Sequence, residues 1–260
     1  MTAPPPPDPN AMDDTQLLRY SRHILLPELG LEAQEKIAAA HVLVIGAGGL
    51  GTPVAQFLVA AGIGTLTLCD PDAVDLTNLQ RQILYATADI GTAKVVAAKA
   101  RLAAINPEVR VEAIEARIGP DEFAALVQRS DVVVDCCDNF PTRHAVNRAC
   151  VAAGKPLVSG AAIRFDGQIA VFDPRDPTSP CYHCLFGEGE GLEETRCAIM
   201  GVFAPVVGIV GATQAAEALK LIAGVGETLA GRLLLLDAYA MRWREVRIPR
   251  DPACPVCGRA

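Results

Sequence analysis

The chain has 260 residues, 51% of them hydrophobic, which is enough apolar material for one large or two small domains with a core and excludes disorder beyond the ends. Thirty acidic against 23 basic residues leave a formal net charge of -7, which excludes nucleic acid and an acidic membrane surface as main partners. The opening MTAPPPPDPNAMDD has no basic n-region and no apolar h-region, so residues 1–13 read as a disordered Pro-rich tail and the expected location is cytoplasmic.

Residues 13–40 are helical by period, with Pro27 and Gly30 breaking them into pieces. Strands and helices then alternate: HVLVIG and a helix after Gly51, TLTLCD, and TAKVVAAKARLAAI as a helix ended by Asn106-Pro107. VRVEAIEA, a short helix from Asp121, DVVVDCCDN, a helix through TRHAVNRACVAAG, and PLVSGAAI continue the series. Continuous apolar strands separated by helices predict a mainly parallel α/β sheet covered on both faces.

The pattern changes after Arg164. GQIAVFD reads as an antiparallel strand, residues 174–191 as a long irregular loop, TQAAEALKLIAG as a helix, and RLLLLDAY and WREVRIP as two last strands. The most apolar stretch, from Gly201, is interrupted by Pro205, Gly208, Gly211, Gln214 and Glu217, so no membrane span is expected. With no internal repeat and no clean linker, residues 14–260 read as a single nucleotide-binding domain whose last part, 170–260, is an elaboration.

The motif Gly46-Ala-Gly48-Gly49-Leu-Gly51 sits between the first strand and its helix. Such a turn lets backbone N–H groups approach a phosphate, and the helix N-terminus adds favourable potential. Asp70 follows the second strand, where a carboxylate can accept from a ribose hydroxyl. The loop alone fits NAD as well as ATP. Asn78, Arg81 and Gln82 form a polar cluster just beyond, and Lys94 opens the next helix. Cations beside a phosphate loop neutralise a polyphosphate and the charge that develops as it is cleaved. Asp138, past the fourth strand, is placed to hold a hard cation that bridges phosphates, or to cap the following helix, or the two roles are split between Asp138 and Asn139.

Nine cysteines is an odd count, and the informative ones are two CxxC pairs, Cys181/Cys184 and Cys254/Cys257. Two such knuckles that meet in space make a closed all-thiolate site, which favours structural zinc over a redox role. His183 lies inside the first knuckle and reads as a bystander. Cys69, Cys136, Cys137 and Cys150 read as small buried hydrophobes.

YSRHILL, GAGGLG, NLQRQ, GTAK, DCCDN, LVSGAAIRFDGQIAVF, CYHC and CPVC occur in the order found in the ThiF/MoeB/HesA family. Over residues 17–258 the chain resembles these sulfur-carrier-protein adenylyltransferases of molybdopterin and thiamine biosynthesis, bacterial relatives of ubiquitin-activating enzymes. The resemblance implies a Rossmann-like doubly wound sheet with a C-terminal antiparallel extension and a four-cysteine zinc site. It further implies a homodimer that uses ATP and magnesium to adenylate the C-terminal glycine of a small ubiquitin-like carrier ending in Gly-Gly.

On that resemblance Gly46, Gly48, Gly49 and Gly51 form the ATP loop and Asp70 meets the ribose. Asn78, Arg81 and Lys94 hold the triphosphate, and Asp138 holds magnesium and aligns the attack. Arg22 matches an arginine inserted into the partner subunit's ATP site. Cys197 matches a cysteine that in some members receives the activated carrier, its alternative being a loop or packing role. Residues 170–260 become the region for carrier and zinc. Cys137 stands where the family pattern has threonine. As the chain ends just past Cys257, the sulfur donor is expected to be separate, a cysteine desulfurase or a rhodanese-like protein. The readings that compete with adenylation are an NAD-dependent dehydrogenase with structural zinc and a binding module gated by nucleotide.

Overall fold

The structure is a computed structural model and describes residues 12–188 and 200–258. Three short helices lead in: α1 (Asp14–Arg19), α2 (Ser21–Ile24) and α3 (Gly30–Ala39). Asp13, placed in the tail on composition, is the N-cap of α1 and exchanges hydrogen bonds with Gln16 in a capping box. The expected break falls between α2 and α3, where Gly30 adopts a φ of +64°.

The core alternates as expected: β1 (His41–Ile45), α4 (Gly51–Ala60), β2 (Thr65–Cys69), α5 (Lys94–Ile105), β3 (Arg110–Ile114), α6 (Pro120–Gln128), β4 (Val132–Asp135), α7 (Phe140–Ala153) and β5 (Leu157–Ile163). Then come β6 (Asp166–Phe172), α8 (Tyr182–Leu185), α9 (Ala204–Ala223), β7 (Arg232–Asp237) and β8 (Arg242–Arg247). One eight-stranded sheet has the order β3-β2-β1-β4-β5-β6-β7-β8. Pairing is parallel from β3 to β5 and antiparallel from β5 to β8, which is the doubly wound sheet with its antiparallel extension.

Alternate side chains of β1 explain why its apolar run is unbroken. Val42 and Val44 join a cluster with Val54 and Leu58 of α4, whereas Leu43 and Ile45 join one with Phe123 of α6 and Val146 of α7. Both faces are buried, so neither face of the strand tolerates a polar residue.

Two elements differ from the sequence reading. The helix expected to begin near Thr213 begins at Ala204, and a short helix, α8, occupies part of the expected loop. Pro205 and Gly211 interrupt the apolar stretch without breaking the helix. Pro205 lies in the first turn, where a missing N–H costs nothing. A Cβ on Gly211 would meet Pro53 Cγ at 2.5 Å and the Leu50 carbonyl oxygen at 2.6 Å, so this glycine permits the close approach of α9 to α4. By length and apolar composition α9 passes as a membrane-crossing helix, yet half of the apolar window is buried against α4, β5 and β6. Its Gln214 and Glu217 are buried and bonded, to the Asp135 carbonyl and the Leu229 N–H.

Candidate active site

β1 and β4 are neighbours whose connections run to opposite sides of the sheet, so a crevice opens beyond their carboxyl ends. There a cleft of about 650 Å³ is lined by Gly46, Gly48, Gly49, Asp70, Asn78, Arg81, Lys94 and Asp138. Residues far apart in sequence therefore meet where the fold predicts a ligand.

The glycines divide the work. Gly46 has a φ of +97°, and a Cβ there would sit 2.7 Å from the Cys136 carbonyl oxygen. A Cβ on Gly51 would fall 1.8 Å from the Gly46 carbonyl oxygen, so this residue closes the turn beneath the loop and does not line the cleft. A Cβ on Gly49 would press on Val207 of α9 at 3.2 Å. Gly48 alone faces open space, with Gln82 Nε2 the nearest atom at 3.6 Å. Its backbone can be approached by a phosphate at the start of α4, where the helix potential is favourable.

Asp70 is buried and holds the loop. Its Oδ2 accepts from the Ala47 N–H at 2.7 Å and its Oδ1 from the Asp72 N–H at 2.9 Å. Tyr85 donates to the Ala47 carbonyl from the other side at 2.8 Å. Burial pushes the Asp70 carboxyl above the usual range, against the pull of Lys94 and the two N–H donors. Lys94 Nζ lies 3.6 Å from Asp70 and 2.8 Å from Asp72. Asp72 carries no motif of its own, and its place three residues past the end of β2 is the only signal of it in the sequence. Arg81 donates to Asn78 Oδ1 at 2.8 Å and to the Thr77 carbonyl at 3.2 Å, so Asn78 aims the guanidinium. Gln82, buried among them, has its Oε1 without a hydrogen-bond partner among the described residues.

Asn139 caps α7 by accepting from the Thr142 N–H at 2.9 Å, and Asp138 stays exposed at the cleft. A network that the sequence did not reveal supports this strand end. Arg143, one turn into α7, reaches back to Asp135 Oδ2 at 3.2 Å and to the Gly160 carbonyl at 3.0 Å, while Ser159 donates to Asp135 at 2.9 Å. Burial pulls the Arg143 guanidinium down, but Asp135 outweighs it and keeps it charged. Cys137 donates its N–H to Asp135 Oδ1 at 3.0 Å, and its thiol faces the Asn139 carbonyl at 3.7 Å. Cys69, Cys136 and Cys150 are buried as expected; burial pushes the Cys69 thiol up to about 12, so it stays a thiol.

The two knuckles meet. Sγ separations are 4.0 Å for Cys181 and Cys184, 3.7 Å for Cys181 and Cys254, and 3.4 Å for Cys184 and Cys257. Four sulfurs at about 2.3 Å from a tetrahedral zinc ion stand about 3.8 Å apart, so the cluster is compatible with a zinc site. Burial pushes the Cys254 thiol up, but hydrogen bonds from the backbone of Cys257 and Val256 outweigh it and leave it at about 7. His183 is not one of the four clustered thiol ligands, and its ring faces His144 of α7 with centroids 5.6 Å apart.

Arg22 does not line the cleft of its own chain. It is exposed on α2, in a surface carrying Leu18 at 77% and Leu25 at 69% exposure. Cys197 lies outside the described residues.

The ThiF family model matches residues 20–256. Among curated proteins, the sulfur carrier protein adenylyltransferase of Thermus thermophilus is 48% identical over 94% of this chain and 91% of its own length. Two Escherichia coli proteins are nearly level with each other. The sulfur carrier protein ThiS adenylyltransferase is 44% identical over 95% of this chain and 97% of its own length. The molybdopterin-synthase adenylyltransferase is 43% identical over 95% of this chain and 99% of its own length. The crystal structure of E. coli MccB with ATP superposes with a TM-score of 0.80 at 28% identity, over 92% of this chain and 73% of that one. A match of that extent, on a chain whose glycine loop, lysine and aspartates converge at the switch point of the sheet, places this protein in the ThiF family.

Proposed function

We propose that this chain uses ATP to adenylate the C-terminal carboxylate of a ubiquitin-like sulfur carrier protein ending in Gly-Gly. The observation that carries the reading is that Gly48, Arg81, Lys94 and Asp138 open into one cleft. The relatives named for sulfur carrier proteins support the substrate class.

In this reaction a carrier carboxylate oxygen bonds to the α-phosphorus of ATP, the bond to the β-phosphate oxygen breaks, and pyrophosphate leaves. Both reactants are anions, so the chain must screen charge and hold them in line; no general base is required. The loop N–H groups at the start of α4 bind phosphate oxygens, and Lys94 and Arg81 neutralise the charge that grows on the leaving group. Asp138, exposed and not engaged as a helix cap, would hold a magnesium ion, which supplies positive charge to the phosphates. The four clustered thiols would hold zinc in a closed, structural site. Arg22 reaches the site of a second copy in a homodimer, consistent with its exposure beside Leu18 and Leu25. The acyl-adenylate is then consumed by a separate sulfur donor, a cysteine desulfurase or a rhodanese-like protein, in the cytoplasm.

Exchange of labelled pyrophosphate into ATP tests the reading, with magnesium, with and without ThiS-like and molybdopterin-type carriers, and with Asp138→Ala as control. Carrier-dependent exchange lost in the variant is the expected result, and the preferred carrier identifies the pathway. A folded chain that binds ATP yet exchanges nothing with any carrier would overturn it in favour of a nucleotide-gated binding module.

A further inference from the structure

Next to the four-thiol cluster the fold gathers a second set of donors that adenylation does not use. His144 of α7, His183 inside the first knuckle and Glu188 each offer one ligand atom, and these atoms lie within 4.8 Å of one another. His144 is 4% exposed, and among the described residues neither of its ring nitrogens has a hydrogen-bond partner. The Nδ1 of His183 is likewise buried without a partner. A buried imidazole normally satisfies at least one nitrogen, since an unpaired buried polar group pays its full desolvation penalty. Three unsatisfied nitrogens on two neighbouring rings, beside a carboxylate, are an arrangement that a bound cation completes.

The geometry agrees. The two rings stand at 66° to each other, edge against face, and His144 Nδ1 lies 3.5 Å from Glu188 Oε1. Ligand atoms at about 2.0–2.1 Å from a tetrahedral metal stand about 3.4 Å apart, so no gap among the three must close by more than about 1.4 Å. Glu188, with half of its side chain exposed, has the freedom to adjust toward the two rings. Arg148 contacts the same carboxylate oxygen, which holds Glu188 at the mouth.

We propose that His144, His183 and Glu188 form a second metal site, distinct from the cysteine cluster, for a divalent ion of the zinc class. Two imidazoles and one carboxylate suit zinc, cobalt or nickel and not magnesium or calcium. Three protein ligands leave a fourth position open to water or to a group brought by a partner, whereas the four-thiol site has none. His183 and Cys184 belong to the same short helix, with Cys181 as its N-cap, so the two donor sets are adjacent.

The test counts metal on the full chain, independently of any turnover. The chain is stripped with a chelator, reloaded with zinc alone or cobalt alone, and freed of unbound ion. The wild type binds two ions per chain, and Glu188→Gln and His183→Ala each bind one. With cobalt, the thiolate-to-metal charge-transfer band is the same in all three, and the wild type shows added ligand-field absorption that both variants lack. One ion in the wild type, two in either variant, or loss of the thiolate band in the variants would overturn the proposal. Because Glu188 is exposed, its substitution leaves the fold intact and keeps the test decisive if His183→Ala does not fold. Failure here leaves carrier adenylation untouched, since pyrophosphate exchange reads only that activity.

Discussion

Lys94 Nζ donates to Asp72 Oδ2 at 2.8 Å while 6% of the lysine side chain is exposed. With Asp70 3.6 Å away on the other side, the ammonium that faces the phosphate cleft is held by two carboxylates. The pair stores the cation in place at the cost of partly neutralising it, and an incoming polyphosphate competes with Asp72 for the same charge.

Replacing Lys94 by alanine is therefore expected to do two things. It removes the cation that stabilises the leaving pyrophosphate, lowering exchange by about 10²-fold or more. It also leaves Asp70 buried without its counter-ion, lowering stability by about 1–3 kcal/mol, softened by the N–H donors from Ala47 and Asp72. Urea titration beside exchange kinetics checks both, and Asp72→Asn separates them by tightening ATP binding.

Asp138 and Asn139 are adjacent but predict opposite phenotypes. Asp138→Ala loses exchange and keeps its melting temperature, because the side chain is exposed and caps nothing. Asn139→Ala keeps its chemistry and loses about 1 kcal/mol of stability, because the Thr142 N–H loses its acceptor. A melting curve and an exchange assay on each variant suffice.

Two glycines of the loop make a second contrasting pair. A methyl group on Gly51 collides with the Gly46 carbonyl, so Gly51→Ala lowers stability by about 1–3 kcal/mol and displaces the loop. A methyl group on Gly48 meets no atom closer than 3.6 Å. Gly48→Ala folds normally and weakens ATP binding by about tenfold or more, about 1.4 kcal/mol, by filling the phosphate approach. Calorimetric binding of ATP to both variants distinguishes the two effects.

Cys254 is buried in the thiol cluster and ties residues after β8 to α8. Cys254→Ser, or removal of metal by a chelator, is expected to lower the melting temperature strongly while the surviving folded fraction exchanges pyrophosphate normally. Unchanged melting with zinc retained would contradict a structural role for the four thiols.

Arg22 acting across a dimer predicts complementation. Arg22→Ala and Asp138→Ala homodimers are each inactive, but mixing them with subunit exchange restores on the order of a quarter of wild-type activity, from the one intact site of each heterodimer. No restoration would overturn a role for Arg22 across the dimer.

The local part of the site was legible in the sequence because its signals are local. A strand, a GxGxxG turn and a helix occupy one short segment, and CxxC spacing describes a knuckle wherever it folds, so the glycine loop and the cysteine pairs needed no coordinates. The parallel core could be read because strands buried on both faces are apolar at every position, as in Val42, Leu43, Val44 and Ile45. Tertiary structure decided what depends on partners distant in sequence. Gly211 looks like a helix breaker until α4 is packed against it, and Arg143 looks like a solvated charge until Asp135 and Ser159 arrive from two strands. Asp72 became the partner of Lys94, and His183 the neighbour of His144, through packing that no spacing announces. Hydrophobic period and backbone geometry act within a few residues and are written along the chain, whereas pairing of buried charges and ligands is set by which elements the sheet order makes neighbours.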